Sequence, residues 1–245
     1  MEAEKLMLAN GKTASRVATP TLTATSDKSV KQVPVEIKKA IVFFIGGAGD
    51  KESYYFSGPF GNVLDAKEKF DLRADDLGTK GLYISHYLGY SEVKGSGDIK
   101  KYALDFIPSK AAAIYIVGHS LGGWNGAHLS KILSEKGYNV AMLVTLDPVG
   151  EGAFVWLGSN IYYGKPEPKA KFWINIRATP TKPDQSDSVA DFGEQWIVAA
   201  GPNENYTINT NHALANTMFV SPLINGKSAA DLVYASIAEH VGGGQ

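Results

Sequence analysis

Residues 111–124, Ala-Ala-Ala-Ile-Tyr-Ile-Val-Gly-His-Ser-Leu-Gly-Gly-Trp, constrain the fold more than any other part of the chain. Residues 111–117 form an apolar, partly β-branched run, the composition of a strand buried on both faces. From Leu121 onward the apolar residues Leu121, Trp124, Leu129, Ile132 and Leu133 gather on one side of a helical wheel, with Lys131, Ser134 and Glu135 at its edge or beyond. A strand therefore hands over to a helix within Gly118-His119-Ser120-Leu121-Gly122. Such a turn is sharp and strained, and a Cβ at either glycine would strike the neighbouring strand or helix. The strain pushes the Ser120 hydroxyl out at the end of the sheet.

In a chain with 26 glycines the bare Gly-x-Ser-x-Gly pattern is weak, and its context is what sharpens it. Residues 40–45 form an earlier apolar run that ends in Gly46-Gly47-Ala48-Gly49-Asp50, where the main chain can approach a carbonyl with no side chain in the way. A dinucleotide-binding reading of that loop fails on spacing, because no Gly-x-Gly-x-x-Gly with a distal acid follows. Residues 140–146 are a second continuous apolar run, stopped by Asp147-Pro148. Proline cannot donate to a strand ladder, so the strand ends there. Parallel strands then leave the Asp147 carboxylate at the same sheet edge as Ser120, the edge where open α/β sheets bind ligands. Asn211-His212 lies late in the chain on a polar loop ahead of a short helical stretch, 213–219. The other histidines fit structural places: His86 near a strand end, His119 beside the serine but projecting differently, His128 within a helix and His240 at the close of the last one.

Gly-His-Ser-Leu-Gly-Gly resembles the nucleophile elbow of lipases and esterases in the α/β-hydrolase superfamily. Leu-Asp-Pro-Val is similar to the acid position of pancreatic-type and several bacterial lipases. The Gly-Gly-Ala-Gly loop and the late Asn-His extend the likeness over residues 40–220, toward short bacterial lipase-like proteins that include phospholipase effectors of contact-dependent secretion systems. The resemblance implies an α/β-hydrolase fold, a mostly parallel central sheet with helices on both faces. It also implies a Ser120, Asp147, His212 triad in the superfamily's order, with oxyanion donors from Leu121 and from Gly47 and Ala48. The implied activity is hydrolysis of a lipid or other hydrophobic ester. The same triad could cleave a thioester or amide, and a binding protein on a hydrolase fold is the reading from another class.

The remaining chain fills in this frame. The sequence predicts a polar arm over residues 1–35 and one domain over 36–245. Aromatic residues crowd two segments near 51–64 and 150–171, lid or pocket candidates, with Tyr55, Phe56, Phe154 and Trp156 as substrate-binding candidates. The polar stretch 179–191 holds Asp184, Asp187 and Asp191, which offer an alternative triad acid; a cation site there lacks the ligand spacing of a calcium loop. Residues 196–200 and 206–208 suggest a hairpin around Gly201-Pro202-Asn203. Helices are expected over 66–72, 98–106 and 228–240, and strands over 81–87 and 172–176.

Composition excludes several classes. A formal net charge of −1 with mixed signs gives no basic footprint for nucleic acid. With no cysteine in the chain, disulfides, thiol catalysis and thiolate metal sites are ruled out. No cofactor or metal is called for. The first thirty residues lack the apolar run of roughly 7–15 residues that a signal peptide needs, and no run approaches a bilayer span. The expectation is a chain made in the cytoplasm, with transient membrane-surface contact and later export by a dedicated machine both open.

Overall fold

The computed structural model describes residues 38–223 and 226–243; the predicted N-terminal arm lies outside them. In chain order the elements are β1 (Ala40–Gly46), α1 (Asn62–Arg73), α2 (Asp75–Thr79), β2 (Tyr83–Gly89), α3 (Ser96–Tyr102), β3 (Ala113–His119), α4 (Leu121–Glu135) and β4 (Asn139–Leu146). They continue as α5 (Ala153–Gly158), β5 (Phe172–Ala178), α6 (Gln185–Gly193), β6 (Glu204–Ile208), α7 (Ala215–Val220) and α8 (Ala229–Gly242). All six strands are parallel, in the order β2-β1-β3-β4-β5-β6. This is an α/β fold with a six-stranded parallel sheet flanked by helices.

The sheet is covered on both sides because its central strands are apolar at nearly every position. Along β1, Val42 and Phe44 pack with α1, α7 and α8, while Ile41, Phe43 and Ile45 pack with α3 and α4. A pleated strand turns alternate side chains to opposite faces, so an unbroken apolar run serves two cores at once. Trp124 and Leu129 of α4 are fully buried in the second core.

After β1 the chain moves outward to β2, then crosses back to β3 on the other side of β1. Such a reversal opens a crevice at the carboxyl ends of β1 and β3. The Gly46–Gly49 loop and Ser120 both emerge there.

Three expectations change. Residues 196–200 form no strand, and β6 pairs parallel to β5 with Ile174 opposite Glu204, so the proposed hairpin is absent. Trp196 is instead buried against Trp124 and Trp173, at ring separations of 5.6 and 5.5 Å, and packing of a large ring outweighs local turn propensity. The stretch 98–106 breaks into α3 and a separate 3-10 turn at Leu104–Phe106. The polar stretch 179–191 contains α6. Its start is a capping box: Asp184 accepts from the Ser186 N–H at 2.7 Å, and Asp187 accepts from the Asp184 N–H at 2.7 Å.

Candidate active site

Ser120 occupies the turn between β3 and α4 with φ 54° and ψ −129°, a conformation that a residue with a side chain adopts only when its surroundings force it. The forcing contacts are visible at the glycines. A Cβ on Gly118 would lie 2.4 Å from the Gly122 carbonyl oxygen, and one on Gly122 would lie 2.2 Å from the carbonyl oxygen of Ile45 in β1. Backbone packs on backbone at both places. The Ser120 N–H donates to the Leu146 carbonyl, and the Ser120 carbonyl accepts from Gly123, Trp124 and Val149. The main chain is thus pinned on both sides while the hydroxyl bonds to no other described residue.

The glycine loop after β1 faces this hydroxyl directly. A Cβ on Gly47 would stand 2.5 Å from Ser120 Cβ and 3.0 Å from its Oγ. Among the described residues, the backbone N–H groups of Ala48 and Leu121 have no acceptor. Asp50 braces the loop from behind: its buried carboxylate accepts from the Val63 N–H at 3.1 Å and the Tyr87 hydroxyl at 2.6 Å. Burial pushes the Asp50 carboxyl above the ordinary carboxylate range, against the pull of those donors. Nothing in its spacing marked Asp50 beforehand.

Asp147 follows β4 and is fully buried. Its Oδ2 stands 2.6 Å from Nδ1 of His212. An ionised carboxylate only accepts, so Nδ1 carries the proton and Nε2 is left as the basic nitrogen. Oδ1 accepts from the Ala178 N–H at 3.0 Å, and the Gln195 amide donates to both oxygens at 2.9 Å. Gln195 is held in place by a backbone bridge to Val149. A lone glutamine carries no motif, so only the fold reveals this clamp.

The later acid, Asp187, sits on the other side of the histidine loop. It accepts from the His212 N–H at 2.8 Å and from the Asn211 side chain at 2.7 Å. Asp147 meets the imidazole and Asp187 meets the main chain.

His119, expected to project differently from its neighbour Ser120, packs against the histidine loop. Its Nε2–H donates to the His212 carbonyl at 2.7 Å, and the two rings lie 4.6 Å apart. Burial, with His212 as a second influence, pushes His119 down to about 3, so it is neutral.

Two hollows meet over Ser120. One, of about 420 Å³, is lined by His119, His212, Ala213, Asp184, Ser186 and Asn62. The other, of about 530 Å³, is lined by Leu121, Val149, Val155, Phe192, Tyr54 and Tyr55. Ser120, Ala48, Phe60, Gln185 and Val189 border both. Of the four substrate-binding candidates only Tyr55 lines a wall. Phe56 projects fully into solvent from a loop tip, Phe154 stacks on Phe192 outside, and the Trp156 indole N–H is turned back to the Gly150 carbonyl at 2.6 Å. Val189 and Phe192 of α6 also line this wall; the polar stretch 179–191 gave no sign of a helix that would bring them there.

Among the described residues, no group of three or more acidic or histidine side chains could hold a metal ion, and no helix is long and apolar enough to cross a membrane. No family model and no curated protein sequence matches the chain. Solved structures do resemble it. The type II thioesterase YbtT of the yersiniabactin biosynthetic pathway is 10% identical, with 84% of this chain and 94% of that one covered, at a TM-score of 0.41. The esterase domain of a Rhodothermus marinus protein is 13% identical, with 86% and 90% covered, also at 0.41. The chemistry has to come from this chain's own side chains.

Proposed function

We propose that this protein is a serine hydrolase that cleaves carboxylic esters of apolar acyl chains through an acyl-enzyme, with Ser120 as nucleophile, His212 as base and Asp147 as the acid that orients it. The observation that carries the reading is the 2.6 Å contact between Asp147 and His212 Nδ1 beside a strained serine in the same cavity. A serine hydroxyl is a weak nucleophile until an imidazole takes its proton, and the imidazole needs a carboxylate to fix its tautomer.

His212 Nε2 takes the Ser120 proton as Oγ bonds to the ester carbonyl carbon. The carbonyl oxygen gains negative charge and accepts from the unpartnered N–H groups of Leu121 and Ala48, beside Gly47. Each such donor is worth about 3 kcal/mol in the transition state. The intermediate collapses by breaking the bond to the alcohol oxygen, which leaves with the proton from His212. Water then repeats the sequence on the acyl-enzyme. The Ser120–His212 hydrogen bond forms with substrate in place, as is common where the free enzyme holds it open.

The two hollows sort the substrate. An alcohol that receives its proton from His212 must leave through the hollow that His212 lines, so the acyl chain takes the other one. That second hollow is walled by Leu121, Val149, Val155, Val189 and Phe192, which favours a hydrocarbon chain.

The test is hydrolysis of an ester series of rising acyl length, with thioesters and amides of the same acyl groups as comparators and Ser120→Ala as control. Ester turnover that rises with chain length and is abolished in Ser120→Ala is expected, together with labelling of Ser120 by a fluorophosphonate. A folded protein that neither turns over nor labels is a binding protein, and preference for thioesters moves the substrate class.

A further inference from the structure

The hollow beneath His212 carries one acidic lining residue, Asp184, and no lysine or arginine. The Asp184 carboxylate is exposed and has no ion-pair partner among the described residues; its Oδ1 accepts from the N–H and the hydroxyl of Ser186, at 2.7 and 2.6 Å. Behind the wall stand two further carboxylates, Asp187 and Asp147. The start of α6 offers only about half a positive charge against them. Arg177 reaches Gln195 Oε1 at 3.4 Å, and neither it nor the exposed Lys182 lines the hollow.

We propose that Asp184 makes this site selective for esters whose departing alcohol is cationic or uncharged near the ester oxygen, and unfavourable to alcohols that carry a phosphate or sulfate there. This rests on the hydrolase reading, which places the alcohol in the His212 hollow. An exposed carboxylate at the rim of a concave space acts on a charge a few ångströms away through solvent, so its effect is modest and weakens with salt, but it discriminates by sign. The acyl hollow, which has no charged lining residue, contributes equally to every alcohol and leaves the choice to Asp184.

The experiment uses three soluble esters of one short acyl chain: a choline ester, a glycerol monoester and the ester of hydroxyethyl phosphate. The quantity read is the ratio of kcat/KM for the cationic over the anionic ester, because a ratio cancels any general loss of activity. In the wild type at low salt that ratio is expected to be about tenfold or more after correction for the esters' intrinsic reactivity, shrinking as salt rises. Asp184→Asn keeps an N-cap side chain for α6 and should lower the ratio about three- to tenfold; Asp184→Ser, another capping residue, serves if the asparagine variant folds poorly. A ratio unmoved by both substitutions overturns the proposal. Failure of the wild type to hydrolyse any ester sinks the hydrolase reading instead. In that event calorimetric binding of the choline and phosphate esters to wild type and Asp184→Asn decides the charge selectivity, and equal affinities for the two probes overturn it.

Discussion

At the scale of single residues, two aspartates compete for one histidine, and the geometry separates their tasks. Asp147 supports the imidazole at Nδ1, while Asp187 ties down the His212 N–H and Asn211. Asp147→Asn leaves the shape but reverses the donor at Nδ1, so kcat should fall by about 10³–10⁴-fold. Asp187→Asn should cost far less, since an amide oxygen still accepts from the main chain. Steady-state kinetics on one ester would show it, and the reverse ranking would move the acid to α6. His119 supplies a second prediction. The folded protein keeps it neutral down to about 3, whereas its ordinary value is 6.5. Between those values the unfolded chain binds the extra proton, so this contribution to stability is complete above 6.5 and is lost as pH falls toward 3. Urea unfolding should show the wild type losing up to about 1.4 kcal/mol per pH unit more than His119→Gln in that window. Parallel slopes would mean that His119 is protonated in the folded state.

At the scale of elements, the turn between β3 and α4 is a matter of backbone clearance. Gly122→Ala would drive a methyl to 2.2 Å from the Ile45 carbonyl, and the expected result is loss of more than about 4 kcal/mol of stability, read as an insoluble or unfolded product. Gly97 in α3 has open space around its missing side chain and no left-handed φ. Gly97→Ala should therefore raise stability by about 0.5–1 kcal/mol in thermal or urea unfolding. Two glycines of identical local propensity are separated by what lies beside them. The element that sequence reading lost was α6, because Asp184, Asp187 and Ser186 look like loop residues until their capping bonds are seen. Its burial pattern is also thin: only Asp187, Ala190 and Gly193 turn inward, and Val189 and Phe192 face the cavity rather than a core.

At the scale of the molecule, the cavity exists because the chain's progression across the parallel sheet reverses at β1, and loops from β1, β3, β4 and β6 converge on that edge. α6 then roofs the apolar hollow. Phe192, mostly exposed in the free protein, has an edge on that hollow. Phe192→Ser should lower the ratio of long-chain to short-chain ester kcat/KM by about tenfold, in line with the free energy of a few buried methylenes. An unchanged ratio would place the acyl chain elsewhere.

The interior strands, the burial of the sheet on both faces and the strained serine turn were legible along the chain, because each depends on neighbours a few residues apart, whereas the order of the strands was not. Apolar runs at 40–45, 111–117 and 140–146 leave little choice but interior strands, and glycines on both sides of Ser120 leave little choice but a tight turn. The partners of Asp147, the ring of His119 against His212, the brace at Asp50 and the charge at Asp184 were decided by the tertiary structure alone. Gln195 and Ala178 reach Asp147 from 48 and 31 residues away, and no local pattern encodes a hydrogen bond between residues that only the folding of the whole sheet brings together.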